Sequence, residues 1–165
     1  MAIKVLPSLD GNGCLPQKCF RVGLKEFKER FVFIKNEKIR KKLFNNYESF
    51  CKRFENIIIR LWVNGSYTTN KLNPRDIDVA VHYDAIKFND LSEININEKR
   101  SFNNREYIEK EYSLHLLPVP VYPEDHPAYR LTKMQSEKWK KMFLKDTRKN
   151  PPLKKGFVEL INGDE

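Results

Sequence analysis

Ile57-Ile58-Ile59-Arg60-Leu61-Trp62-Val63-Asn64-Gly65-Ser66 is followed, after nine intervening residues, by Asp76-Ile77-Asp78-Val79-Ala80-Val81. Up to Val63 the first run is β-branched and nearly all apolar, the pattern of a central strand covered on both faces. Asn64-Gly65 ends it, Asn73-Pro74-Arg75 makes a turn, and Ile77 to Val81 forms a second strand. Side chains at i and i+2 of a strand share a face, so Asp76 and Asp78 hold two carboxylates side by side. Such a pair repels unless a cation joins it, and hard, oxygen-seeking Mg²⁺ meets that need. Gly65-Ser66, at the end of the first strand, offers backbone N–H groups to phosphate, and a helix starting at Ser66 adds its dipole. Phosphate and metal gathered at one sheet end are what metal-assisted nucleotidyl transfer requires. A Gly-Ser turn alone means little, and an Asp-x-Asp pair is often a solvated edge. Their conjunction on two apolar strands is the informative signal.

Outward from this stretch the periods change. Glu37 to Phe54 is predicted helical, with Ile39, Leu43, Tyr47, Phe50, Cys51 and Phe54 as its apolar stripe. Lys38, Arg40, Lys41, Lys42, Lys52 and Arg53 lie off that stripe and read as a solvated face. Leu24, Phe27 and Phe31 suggest a shorter helix before it. The first 22 residues, with the Asp10-Gly11-Asn12-Gly13 turn, read as an extended arm anchored by Leu6, Leu9 and Leu15. Ala85 to Asn104 is polar and Asn-rich, and Glu106 to Glu111 finishes a helix. Tyr112 to Leu117 forms a third strand, stopped by Pro118 and Pro120. A helix over Thr132 to Leu144 presents Trp139, Met142 and Phe143, and Gly156 to Ile161 forms a final edge strand. The expected fold class is α/β (α+β): a mixed central sheet with N-terminal helices, then a C-terminal helix plus edge strand. One domain is expected over 1–165, its sheet core and site in 57–119 and a basic C-terminal segment in 123–165.

The 165 residues carry 31 Lys and Arg against 22 Asp and Glu, a net charge of +9 that favours polyanionic partners. Ten of those cations against two acids fall between Arg130 and Lys155, interleaved with Trp139 and Phe143, which suits a nucleic-acid backbone. No apolar run is long enough to span a bilayer, so no membrane partner is expected. The start, Met1 to Pro7, lacks the apolar core of a signal peptide. Cys14, Cys19 and Cys51 cannot all pair and lack zinc-site spacing, so they read as inert thiols of a cytoplasmic protein.

Gly65-Ser66, nine residues and Asp76-Ile77-Asp78-Val79 together resemble the signature of the DNA polymerase β-like nucleotidyltransferase superfamily. That superfamily includes the minimal nucleotidyltransferases of bacterial toxin–antitoxin and phage-defence pairs. More narrowly, Trp62 to Lys71 with Pro74 to Asp78 looks like a group of small bacterial nucleotidyltransferase-like proteins. Gly13-Cys14-Leu15-Pro16, Glu26-Phe27, Arg30-Phe31, Pro120-Val121-Tyr122-Pro123 and Lys155-Gly156-Phe157-Val158 share that likeness. The resemblance implies a polymerase-β-like fold, a mixed sheet with helices on one side. It implies that Gly65 and Ser66 hold a nucleoside triphosphate and that Asp76 and Asp78 ligate catalytic Mg²⁺. It also implies a third acidic residue on a later strand, and here the chain departs from the pattern.

The strand from Tyr112 to Leu117 has no carboxylate, and the slot falls on His115. Imidazole binds Mg²⁺ poorly and Mn²⁺ better, yet it can still accept a proton near neutral pH. The plain alternatives are a structural His115 in a site without catalysis, or Glu109 or Glu111 reaching the site instead. Lys71 and Arg75 are candidates to neutralise phosphate oxygens, or are simply solvated. Thr68 and Thr69 suit capping, His126 a structural turn, and His82 the far end of the Asp78 face. The expected activity is transfer of a nucleoside monophosphate from a triphosphate to a hydroxyl of a partner protein (toxin-like) or of an RNA end. The alternative is a catalytically degenerate module that binds a partner, a nucleotide or nucleic acid.

Overall fold

The computed structural model describes residues 5–34 and 37–161. Positions 1–4 of the expected arm, and 162–165 of the C-terminal segment, lie outside the described residues.

Five strands build the main sheet: β1 (Cys19–Gly23), β2 (Ile58–Asn64), β3 (Ile77–Asp84), β4 (Leu114–Val121) and β7 (Phe157–Ile161), in the order β1-β7-β2-β3-β4. Pairing is parallel for β1–β7 and β3–β4 and antiparallel for β7–β2 and β2–β3, so the sheet is mixed. As the apolar run suggests, β2 is the central strand, and Leu61, Trp62 and Val63 are buried on both faces.

Three expectations change here. The last strand, β7, is not an edge: it lies between β1 and β2, because Cys19 to Gly23 of the supposed arm pairs along it as the outer strand. Prolines do not stop β4, which runs on through Pro118 and Pro120 in register with Val81 and Tyr83. As an edge strand it leaves alternate N–H groups unpaired, and prolines two residues apart occupy one such set. Nor do the helices keep to one side.

On one face α1 (Leu24–Phe27), α2 (Glu37–Arg53), α3 (Ala85–Asn89), α4 (Ile96–Asn103) and α5 (Arg105–Tyr112) contribute Phe27, Phe44, Tyr47, Phe50, Phe88, Phe102 and Ile108 to the larger core. On the other, α6 (Tyr129–Phe143) lays Phe143 and Trp139 on Trp62, Ala80, Leu117 and Phe157. A π-helical turn, Lys28–Val32, separates α1 from α2 and buries Phe31. Within α2, Leu43, Tyr47 and Phe50 are buried as the stripe requires, but Ile39 stays exposed while Arg40 is fully buried. The Asn-rich stretch is helical because its asparagines cap: Asn95 accepts from the Glu98 N–H and Asn104 from the Tyr107 N–H. No helix among the described residues is long and apolar enough to cross a membrane.

Candidate active site

Strand register delivers three polar side chains to one row at one end of the sheet. Asn64 stands opposite Asp78 on the β2–β3 pairing, and Asp78 opposite His115 on the β3–β4 pairing. Ser113, at φ 53°, closes α5 in the left-handed region and turns the chain directly into β4. Its carbonyl accepts from the Ile77 N–H at 3.1 Å, tying the starts of β3 and β4 together. His115 Nδ1 then lies 2.8 Å from Asp78 Oδ1, and Arg105 Nη2 lies 3.1 Å from His115 Nε2. Arg105 has only protons to give, so Nε2 accepts and Nδ1–H donates to the carboxylate. That bond to Asp78 raises the imidazole pKa, opposed by burial and by the Arg105 charge. Glu109, one alternative to His115, instead pairs with Arg105 at 2.8 Å, and Glu111 is exposed.

Gly65 follows β2 with φ 80°, a conformation that suits glycine, and a Cβ there would strike the Asp78 carboxylate. The backbone of the candidate phosphate turn therefore lies against Asp78. From Gly65 to Thr68 the chain makes one 3-10 turn rather than a longer helix, so no long-helix dipole adds to the site. Thr69 Oγ1 donates to the Ser66 carbonyl at 2.7 Å and Thr68 Oγ1 to the Gly65 carbonyl at 3.4 Å, which gives both hydroxyls to the turn itself.

Asp76 immediately precedes β3. The residue is open to solvent, but partial burial of its carboxyl, and then the Asp78 charge, raise its pKa. The two carboxylates are thus close enough to repel, with His115 and Lys71 opposing that repulsion. Lys71 and Arg75 are both exposed; the charge of Lys71 reaches Asp76, while Arg75 makes no hydrogen bond or ion pair among the described residues. Among those residues no group of three or more His, Cys, Asp or Glu is arranged to hold a metal ion. Two carboxylates without a third ligand still fit Mg²⁺, which keeps several waters and takes substrate phosphate oxygens alongside one or two carboxylates.

Residues 7–161 match a family described as DUF6932, a family of unknown function. The chain belongs to the DUF6932 family. No curated protein and no solved structure matches it.

In this DUF6932 chain the stretches flanking the site converge on the same sheet end. The Asn70 N–H donates to the Gly13 carbonyl at 3.0 Å, and the Gly156 N–H to the Leu15 carbonyl at 2.8 Å. Sequence reasoning missed Arg40, Arg105 and Lys155. The sequence pattern puts Arg40 on a solvated face, yet its guanidinium donates to the carbonyls of Phe31 (2.9 Å), Tyr67 (2.7 Å), Thr69 (3.0 Å) and Lys71 (2.5 Å). Three of those carbonyls belong to the segment that runs from Gly65-Ser66 toward Asp76. No local pattern marks such a residue. Lys155 carried one usable signal, its place before Gly156, whose backbone packs against that of Pro16 too closely for a side chain.

His82 and His126 behave as structural residues. His82 is buried with its ring 4.3 Å from that of Trp62, and His126 stacks on Tyr122 while its Nδ1 accepts from the Ala128 N–H. The three cysteines are free thiols. Burial pushes Cys14 up, Cys19 to about 11 and Cys51 to about 12, which keeps them protonated and weakly nucleophilic.

Proposed function

We propose that this chain is a metal-dependent nucleotidyltransferase of the DNA polymerase β-like superfamily, with the cognate fold. It would move a nucleoside monophosphate from a triphosphate to a hydroxyl of a partner protein or an RNA end. The observation that carries the reading is the meeting of Gly65-Ser66, Asp76 and Asp78 at one sheet end, with the carboxylates mutually repelling and glycine backbone against Asp78.

Asp76 and Asp78 would hold Mg²⁺ or Mn²⁺. A bound ion supplies charge neutralisation of the triphosphate oxygens and alignment for in-line attack. Gly65 and Ser66 bind the phosphates through backbone N–H groups, and Lys71 adds a cation beside Asp76. The acceptor oxygen forms a bond to the α-phosphorus, the bond to the bridging oxygen of the β-phosphate breaks, and pyrophosphate leaves. Asp78 fixes the His115 tautomer so that Nε2 is the basic nitrogen. Once the exposed Arg105 side chain swings aside, Nε2 takes the proton of the attacking hydroxyl. The unpaired cysteines support a cytoplasmic location, and the family resemblance supports a toxin–antitoxin or phage-defence setting with a toxin-like partner as acceptor.

Incubation with each α-phosphate-labelled NTP and Mg²⁺ or Mn²⁺ tests this, scored against the Asp76→Ala/Asp78→Ala variant. Label transfer that the double variant abolishes is the expected result. A second reading is favoured by one observation, the imidazole in the third carboxylate's place: a degenerate fold that binds nucleotide or partner without turnover. Tight binding without label transfer would select it.

A further inference from the structure

Strand β7 starts where β2 ends. Val158 pairs with Val63 in antiparallel register, so the residues leading into β7 emerge at the sheet end that carries Gly65-Ser66. A two-stranded hairpin, β5 (Lys145–Asp146) and β6 (Leu153–Lys154), lies just before β7 and delivers Lys155 to that end. The Lys155 N–H donates to the Leu144 carbonyl at 3.1 Å and the next N–H donates to Leu15, so its backbone is held on both sides.

The residue is only 7% exposed. Among the described residues its ammonium has no hydrogen bond and no ion pair within 4 Å, although Asp146 and Asp78 act on it from further away. Burial draws its pKa down while those two carboxylates draw it up. The lysine stem is packed away while the ammonium still meets solvent without a close counter-ion, so an anion arriving from outside can pair with it. Arg148, in the same hairpin, is gripped by Asp146 through Nε at 2.8 Å and Nη2 at 2.9 Å, with its side chain 77% exposed. The charges of Asp78 and Asp76 also reach it. Two cations of the C-terminal segment therefore act electrostatically on the carboxylates of the candidate site.

We propose that Lys155 and Arg148 form a polyphosphate grip, in which buried Lys155 holds the terminal phosphates of the triphosphate and Arg148 covers them from the solvent side. This deepens the nucleotidyltransferase reading and rests on it. The grip favours a triphosphate over a monophosphate and steadies the pyrophosphate as it departs. A lysine that serves only to balance Asp146 would change stability without changing that preference.

The test is calorimetric binding of inorganic tripolyphosphate and of inorganic phosphate, each with Mg²⁺, which needs no knowledge of the base. Wild-type protein is expected to bind tripolyphosphate more tightly than phosphate. Lys155→Met should weaken tripolyphosphate roughly tenfold or more and leave phosphate unchanged, and Lys155→Arg should retain most of the preference. If Lys155→Met does not fold, exposed Arg148→Ala carries the test, with a several-fold loss expected. Unchanged tripolyphosphate affinity in the folded variants overturns the grip, and so does a wild-type protein without that preference. Label transfer by a protein lacking the preference would sink the grip alone. Tripolyphosphate bound through Lys155, with no label transfer, would sink only the enzyme.

Discussion

His115 Nδ1 lies 2.8 Å from Asp78 Oδ1, across the pairing of β3 with β4. One carboxylate oxygen is therefore committed to an imidazole, where the superfamily pattern implies a third carboxylate. Replacing the imidazole by an acid in that same register position supplies a third oxygen ligand. His115→Asp is expected to tighten Mg²⁺ binding by about tenfold, read by calorimetry. Unaltered Mg²⁺ affinity would mean that this position does not face the ion.

Without metal, Asp76 and Asp78 oppose each other, and the Asp76 pKa is raised by burial and then by Asp78. A raised carboxyl pKa means that the fold favours the protonated form. This contribution is present below the ordinary carboxyl pKa and is lost as pH rises through the folded-state value. At neutral pH Asp76→Asn should then raise the melting temperature of the metal-free protein slightly. The proposed ion site also predicts that Mg²⁺ or Mn²⁺ stabilises the wild type thermally and this variant little. Thermal melts with and without the ion check both halves, and a variant that keeps the full metal response would remove Asp76 from the ion site.

The central strand, the acidic strand and the long helix were legible because each has a period or an apolar run of its own. Asp78 and His115 were legible as candidates for the same reason, since strand positions set which face they share. Elements defined by partners were not. Cys19 to Gly23 becomes a strand only because β7 lies beside it, and β7 becomes internal for the same reason. Pro118 and Pro120 argued for a strand end, but an edge position tolerates them. Arg40 looked like its cationic neighbours until the carbonyls of a distant loop surrounded it.

Those carbonyls make Arg40 a cation on which the fold of the loop after Gly65-Ser66 depends. Phe31, Tyr67, Thr69 and Lys71 all receive its protons, and its guanidinium lies 5.0 Å from the Tyr67 ring centre. Arg40→Met keeps much of the bulk but leaves buried acceptors unpaired. A loss of about 3–5 kcal/mol is expected by urea denaturation. Arg40→Lys should rescue little, because a single ammonium lacks the planar fork that spans separate carbonyls. A full rescue by lysine would mean that the charge, rather than the fork, holds the loop.

His82 supplies a pH dependence independent of the site. Its ring is buried against Trp62, and burial, then the Arg60 charge, lower its pKa from 6.5 to about 4. The folded protein thus keeps the imidazole neutral where the unfolded chain takes up a proton. Stability from this residue is whole above pH 6.5, falls as pH drops toward 4, and levels off below that. The displacement corresponds to roughly 3 kcal/mol across the window. His82→Phe keeps an aromatic edge on Trp62 and has nothing to protonate. Urea midpoints collected between pH 7 and pH 4 should therefore fall less steeply for the variant than for the wild type. Parallel curves for the two proteins would assign the acid sensitivity to the carboxylates instead.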